Sequence, residues 1–194
     1  MIRQAVRVLK RGGVIAFPTE TTYGLGCDPR NVKAVAKVFR IKRRVTSKSL
    51  PLVASSVRDV RRIAVLDGLA ARLARSHWPG PLTIVLPMKA VGRSKRGGDI
   101  AIRVSASAFV RALVRAYGFP LVATSANRSG KPECRSGRAV VRVFQHAKTK
   151  PDLVLDAGAL PKRKPSTIVR VGKDGRVEVL RKGAVRMKRG SSAV

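Results

Sequence analysis

Val14-Ile15-Ala16-Phe17-Pro18-Thr19-Glu20-Thr21-Thr22-Tyr23-Gly24-Leu25-Gly26 is the stretch on which the fold reading turns. Four apolar residues, Val14 to Phe17, lie between Gly12-Gly13 and Pro18, the pattern of a short buried strand. The strand delivers hydroxyls, a carboxylate and two glycines into the loop that follows. Adjacent hydroxyls can orient a small polar substrate, and glycine admits a ligand close to the backbone. The same residues also suit a threonine-rich turn with no ligand.

Outward from this stretch, strands and helices alternate. Met1 to Lys10 has a basic helical pattern with Ile2, Ala5, Val6 and Leu9 apolar. Asn31 is placed to cap a helix over 32–40, with Val32, Val35, Ala36 and Phe39 expected on one face. Residues 50–54 read as a short strand whose Pro51 favours a strand start or an edge. Ser56 with Asp59 has capping-box spacing, and Asp67 opens a helix ending before Pro79-Gly80-Pro81. Residues 82–86 and 100–104 read as strands. Ser107 opens a helix with Val110, Leu113, Val114 and Tyr117 inward, closed by Gly118.

Residues 120–123 form a strand that runs into Thr124-Ser125-Ala126-Asn127, and Ser136 begins a helix reaching about His146. Residues 153–155, 167–171 and 177–180 complete the strands, with Gly172-Lys173-Asp174-Gly175 as a hairpin turn. The expectation is one α/β domain over 1–185, a twisted mixed sheet flanked by helices, with a basic tail at 186–194.

The chain has 194 residues, 44% of them hydrophobic, which allows an ordinary buried core and argues against intrinsic disorder. Aromatics are 4%, so Val, Ala, Leu and Ile must build most of that core. No apolar run approaches the roughly 18–20 residues needed to span a bilayer. Cys27 and Cys134 lack paired spacing, so neither a disulfide framework nor a zinc site is expected, and a reducing cytoplasm is the expected compartment.

Forty-two Lys and Arg against 10 Asp and Glu give a net charge of +32. Such a charge attracts polyanions, RNA above all. No acid lies between Arg30 and Arg58, and only Glu133 interrupts the basic run from Arg128 to Arg142. A solvated basic surface is the plainer account of the same numbers. No strongly amphipathic helix with large apolar residues argues for a membrane surface.

Two further segments carry chemistry. In Lys42-Arg43-Arg44 an extended chain would put Lys42 and Arg44 on one side, able to grip a polyphosphate together, with Lys48 four residues on. Thr124-Ser125-Ala126-Asn127-Arg128-Ser129-Gly130 follows an apolar strand, a good place for ligand contacts in an α/β fold and equally a plain Asx or Ser turn. There is neither a GxxxxGK[ST] loop nor a GxGxxG, so a nucleotide site here must rely on side-chain cations and scattered donors. His77 reads as a neighbour of Trp78, His77 and His146 lack metal-ligand spacing, and Cys134 reads as structural.

Six segments in order, VIAFPTETTYGLGCDP, KRR, WPGPLTIVLP, IAIRV, PLVATSANRSG and PSTIV, resemble the YrdC-like family over about residues 10–185. The resemblance implies a twisted α/β sheet around a basic concavity and the activity of an L-threonylcarbamoyladenylate synthase in its single-domain form. That reaction takes ATP, L-threonine and bicarbonate to threonylcarbamoyl-AMP and pyrophosphate, for threonylcarbamoyladenosine modification of tRNA. The implied partners are those substrates, tRNA or other RNA, and the proteins that use the product. The implied cofactor is Mg²⁺ carried with ATP, with no metal ligand of the chain's own.

The family's KxR pair falls on Lys42 and Arg44, implied to be catalytic and to hold the ATP phosphates, with Lys48 adding to the grip. Asn127, Arg135 and Arg181 fall on the nucleotide side. Thr21, Arg103, Ser125 and Ser166 fall on L-threonine contacts, with Arg103 the partner for its carboxylate. Val45 stands where a proline commonly follows the pair, and Ala54-Ser55 follow PLV where many members have histidine. The competing reading is a module for double-stranded RNA or tRNA, serving RNA or ribosome maturation without synthase activity.

Overall fold

The computed structural model describes residues 1–45, 49–89, 98–172 and 175–187. Lys48, Lys173, Asp174 and tail residues 188–194 lie outside them. Among the described residues there are six helices and ten strands. The helices are α1 (Ile2–Lys10), α2 (Val32–Lys42), α3 (Val57–Ile63), α4 (Gly68–His77), α5 (Ala108–Tyr117) and α6 (Gly137–Phe144). The strands are β1 (Ile15–Pro18), β2 (Tyr23–Gly26), β3 (Leu52–Ala54), β4 (Leu82–Pro87), β5 (Asp99–Val104), β6 (Leu121–Val122), β7 (Thr124–Ser125), β8 (Leu153–Val154), β9 (Thr167–Val171) and β10 (Val177–Arg181).

These strands make two mixed sheets rather than one continuous sheet. One has the order β7-β2-β1-β8 and the other β10-β9-β4-β5-β3-β6. The apolar segment before Thr124 divides at Ala123: β6 pairs with β3 in the larger sheet, while β7 pairs with β2 in the smaller one. The chain thus steps between sheets immediately before Ser125. Gly172 and Gly175 close the β9–β10 hairpin through a hydrogen bond of 3.0 Å.

β1 is buried on both faces, which is why its sequence is apolar without alternation. Val14 and Ala16 join the main core with α2, α3, α4 and α6, while Ile15 and Phe17 join a second cluster with α1 and α5. β3 divides the same way: Leu52 and Ala54 enter the first cluster, Val53 the second. Gly26 is required here by packing against protein, since a Cβ would stand 2.5 Å from the Phe17 ring and 2.8 Å from the Val122 carbonyl.

The expected caps form at Asn31, Ser56, Ser107 and Ser136, each accepting from a main-chain N–H three residues on. Two details differ from the sequence reading. The Asp59 carboxylate accepts from the Ser55 hydroxyl in place of closing a capping box. α2 buries Ala34, Val38 and Ile41, and Val32 is 79% exposed. The helix runs on to Lys42, and its buried stripe includes small Ala34 while the larger Val32 faces out, so apolar residues alone do not reveal its phase.

Candidate active site

An open cavity of about 630 Å³ crosses the inner face of the larger sheet. Alternation along the strands builds it. Leu82, Ile84, Ile100, Ile102 and Val169 face the core, while their neighbours Thr83, Val85, Ala101, Arg103, Ile168 and Arg170 face the cavity. The β1–β2 loop supplies Thr19, Thr21 and Thr22 from one side, and β7 supplies Thr124 and Ser125. Arg44, Ser166 and Arg181 complete the polar lining among the residues expected from sequence.

The threonines of the loop divide their tasks. Thr19 donates to the Thr22 carbonyl at 2.6 Å and accepts from the main-chain N–H groups of Thr21 and Thr22, so its hydroxyl folds the turn. Thr22 donates to the Cys134 carbonyl at 2.5 Å. Thr21 is left half-buried on the cavity wall, its hydroxyl 3.1 Å from that of Thr19.

Arg103 is held by Glu20 of the same loop. Its Nε donates to Glu20 Oε1 at 3.0 Å, and both side chains are only 7% exposed. Ser105 donates to the other carboxylate oxygen at 2.6 Å. Burial pushes the Glu20 carboxyl up, but the Arg103 charge and hydrogen bonds including that from Ser105 outweigh it and hold Glu20 below the usual carboxylate value. The sequence reading named this carboxylate without giving it a partner. The alternation in Asp99-Ile100-Ala101-Ile102-Arg103, which sets Arg103 on the strand face opposite Ile100 and Ile102, is a signal the sequence reading did not use; it named Arg103 from the family resemblance.

Lys42 does not sit in an extended segment with Arg44. It is the last residue of α2, and Arg43 turns the chain through a left-handed conformation (φ 48°) before Arg44. Lys42 is 2% exposed, and its ammonium donates to the Ser125 carbonyl (2.6 Å), the Asn127 carbonyl (3.1 Å) and Asn127 Oδ1 (2.9 Å). It lies behind the cavity wall, buttressing the Ser125–Asn127 turn. Ser125 donates to Asn127 Oδ1 at 2.7 Å, and the Asn127 amide donates to the Lys131 carbonyl. Burial, then the Arg44 charge, lowers the Lys42 pKa to about 8.

Arg44 reaches the cavity itself. Its guanidinium donates to the Ser49 carbonyl at 3.3 Å, and its Nε is buried with no hydrogen-bond partner. A buried unmatched donor on a cavity wall is where an anion would bind. Across the cavity, Arg181 donates to the Ser166 carbonyl (2.7 Å) and hydroxyl (2.9 Å), and the Ser166 hydroxyl is 2.9 Å from that of Thr83. Burial lowers the Arg181 pKa, with Arg103 and Arg44 adding to the effect and Glu133 opposing it.

Arg135 lies outside the cavity lining and donates to the Leu160 carbonyl at 2.9 Å. Sequence reading also passed over Glu133 and Arg170, which line the cavity. Arg170 is exposed and pairs with Glu178 (3.5 Å) on the adjacent strand β10 and with Asp99 (3.8 Å) on β5, two strands away with β4 between, a juxtaposition that only strand order creates. Cys134 is buried, and burial raises its thiol pKa against the pull of Lys42. Among the described residues, no three His, Cys, Asp or Glu side chains gather as a metal-holding group.

This is an arginine-lined cavity on an α/β scaffold, of the kind that holds small anionic substrates. The family model for Sua5/YciO/YrdC, described as telomere recombination, matches residues 7–183, and the chain belongs to that family. A threonylcarbamoyl-AMP synthase of Xanthomonas campestris pv. campestris (strain B100) is 45% identical over 142 residues, covering 70% of this chain and 76% of the relative. The structure of P. abyssi Sua5 complexed with L-threonine superposes with a TM-score of 0.82 at 33% identity, over 94% of this chain. This chain spans 54% of that longer Sua5. E. coli YciO superposes with a TM-score of 0.80 at 27% identity, over 94% of this chain and 88% of its own.

Proposed function

We propose that the cavity makes threonylcarbamoyl-AMP from ATP, L-threonine and bicarbonate, releasing pyrophosphate. The observation that carries this reading is the convergence of Arg44, Arg103 and Arg181 on one cavity beside the hydroxyls of Thr21, Ser125 and Ser166. The name of the Xanthomonas relative and the L-threonine complex of P. abyssi Sua5 support it.

In this reading the threonine amine and bicarbonate condense to a carbamate with loss of water. A carbamate oxygen attacks the α-phosphorus of ATP, the bond from that phosphorus to the bridging oxygen breaks, and pyrophosphate leaves with the electron pair. The nucleophile is already an anion, so no general base is required. Arg103, fixed by Glu20, takes the threonine carboxylate, and Thr21, Ser125 and Ser166 orient the rest of the amino acid. Arg44 takes phosphate oxygens through its unmatched Nε, and Lys42 adds positive potential from behind the wall. Asn127, Arg181 and Arg135 are assigned to the nucleotide side on the motif match, and Lys48 is assigned to the phosphates from its place four residues after Arg44.

The donor set suits a metal that arrives with its substrate. Asp99 is paired with Arg170, and Glu133 is the other carboxylate in the lining. Mg²⁺ carried by the ATP phosphates would supply charge neutralisation for the departing pyrophosphate, with no side chain of this chain needed to hold it. The product serves tRNA modification, and its consumers are enzymes that transfer the threonylcarbamoyl group to adenosine. A cytoplasmic setting fits that use; no helix among the described residues is long and apolar enough to cross a membrane.

The test is mass spectrometry of a reaction with ATP, Mg²⁺, bicarbonate and L-threonine, omitting each in turn. A threonylcarbamoyl-AMP peak that needs every substrate is the expected result. Folded, ATP-binding protein that yields no such peak overturns the reading.

A further inference from the structure

The segment Trp78-Pro79-Gly80-Pro81-Leu82-Thr83 ends on a hydroxyl to which the synthase reading gives no task. Thr83 lies on β4 and is 1% exposed, yet it lines the cavity. Ile84 stands opposite Ile102 in the antiparallel β4–β5 pair, so Thr83 stands opposite Arg103 on the cavity face. Side chains directly opposite one another on one face of a sheet lie about 5 Å apart. Ser166, also buried, meets Thr83 from the position just before β9.

Ser166 is held from behind. Arg181 donates to its carbonyl from Nε (3.1 Å) and Nη2 (2.7 Å), and Nη2 also donates to its hydroxyl at 2.9 Å. The Ala184 N–H donates to the Pro165 carbonyl at 2.8 Å. A Cβ on Gly183 would stand 2.6 Å from the Ser166 carbonyl carbon and 2.5 Å from the Thr167 nitrogen, so the chain past β10 presses directly on this backbone.

A count of protons gives the arrangement its chemistry. The Thr83 and Ser166 hydroxyls are 2.9 Å apart, and among the described residues neither has another acceptor. One hydroxyl proton is spent between the two oxygens. Arg181 fills an acceptor position on Ser166 and takes no proton, because a guanidinium only donates. Whichever hydroxyl donates to the other, one proton is left over on the cavity wall. A buried donor left without a partner is costly, and an oxygen of a ligand removes that cost.

We infer that Thr83 is a positioning and specificity residue: with Ser166 it presents one spare hydroxyl proton beside Arg103, which selects an amino acid carrying a β-hydroxyl. The inference rests on the synthase reading, in which Arg103 takes the amino-acid carboxylate. With the carboxylate there, the substituent on Cβ is a few bonds away, on the order of the cross-strand spacing. A hydroxyl at that point accepts the spare proton. A methyl in its place leaves the donor buried and unmatched, which is how a hydrogen-bonding site rejects an isostere that lacks the hydroxyl.

The experiment compares L-threonine with L-valine, which has a methyl where threonine has the hydroxyl. Formation of the carbamoyl-adenylate is followed by mass spectrometry for kcat and KM, and binding of each amino acid to the whole chain by calorimetry without ATP. Wild type is expected to favour threonine by about 100-fold or more. Thr83→Val is expected to cut that preference about tenfold, raising KM for threonine more than it lowers kcat and leaving KM for ATP unchanged. Ser166→Ala is expected to act alike, and the double variant to lose no more than Ser166→Ala alone, since both break one pair. Thr83→Ser keeps the hydroxyl and is expected to recover most of the preference. If Thr83→Val does not fold, Ser166→Ala and Thr83→Ser carry the same comparison. An unchanged threonine-to-valine ratio in the variants overturns the inference and gives the spare proton to a group both substrates share, such as a carbamate oxygen. Additive losses in the double variant, or Thr83→Ser no better than Thr83→Val, overturn it as well. Failure of the synthase reading looks different: no adenylate forms from either amino acid, while calorimetry still measures the ratio.

Discussion

The Lys42 ammonium holds both ends of one residue: it donates to the main-chain carbonyl of Asn127 at 3.1 Å and to its side-chain Oδ1 at 2.9 Å. With the bond to the Ser125 carbonyl, this ties the end of α2 to the turn that leaves β7. A lysine has three N–H donors, and all three are used on protein. Lys42 acts first by shaping the turn that carries Ser125.

Lys42→Met keeps the buried stem and removes the charge. Asn127 Oδ1 keeps the Ser125 hydroxyl and the Ser125 carbonyl keeps the Asn127 N–H, so the Asn127 carbonyl is the oxygen left unmatched, at a cost of about 1–3 kcal/mol for a buried unsatisfied group. Turnover is expected to fall about 100-fold or more, as for loss of a preorganised transition-state charge. Hydrogen exchange should quicken at 125–129 and stay unchanged in α5. Unaltered exchange in that turn would refute the buttressing role.

The same lysine sets a pH dependence. Burial, reinforced by Arg44, lowers its pKa to about 8 from an ordinary 10.5. Between these values the unfolded chain holds a proton that the folded one has released. Stability therefore rises with pH across that window, while below it the burial penalty is felt in full. Turnover moves the other way, because the cation behind the cavity is lost as pH passes about 8. Urea midpoints and kcat/KM, followed across this window in wild type and Lys42→Met, should show opposite slopes in the first and neither Lys42 component in the second.

Arg44 is expected to act directly on substrate, since its buried Nε has no protein partner. Arg44→Ala should lower kcat/KM by about 2–4 kcal/mol of transition-state stabilisation with the fold retained. Arg44→Lys keeps a charge without the planar fork and should recover only part of that loss. Pyrophosphate release assays and circular dichroism together check this; full recovery by lysine would show that charge alone matters.

Glu20→Gln tests whether Arg103 needs its anchor. The carboxylate is buried, and Arg103 and Ser105 both bond to it. Releasing the guanidinium should raise KM for threonine more than it lowers kcat. Because the Glu20 pKa lies below its ordinary 4.5, its contribution to stability is present above that value and disappears as pH falls through the folded one. Wild type should lose stability in acid that Glu20→Gln does not, as read from urea midpoints at neutral and acid pH.

Much of this molecule was legible along the chain because the signals were local. Caps at Asn31, Ser107 and Ser136 are side-chain bonds to the next turn, and Gly118 closes α5 at φ 88°. The apolar run at β1 announced a strand buried on both faces. The phase of α2 was not legible, because its buried stripe uses Ala34 and its neighbours Val32 and Phe39 are apolar but turned outward or only partly covered.

By itself, then, the sequence determined the order of elements, their caps, the motif residues and the surplus of positive charge, all properties of neighbouring residues. Tertiary structure decided which of those residues work together. It split residues 121–125 between two sheets, paired Glu20 with Arg103 across 83 positions, and turned Lys42 inward while Arg44 reached the cavity. Such partnerships depend on strand order and on which face of a helix meets the sheet, and these are set by packing the whole chain at once.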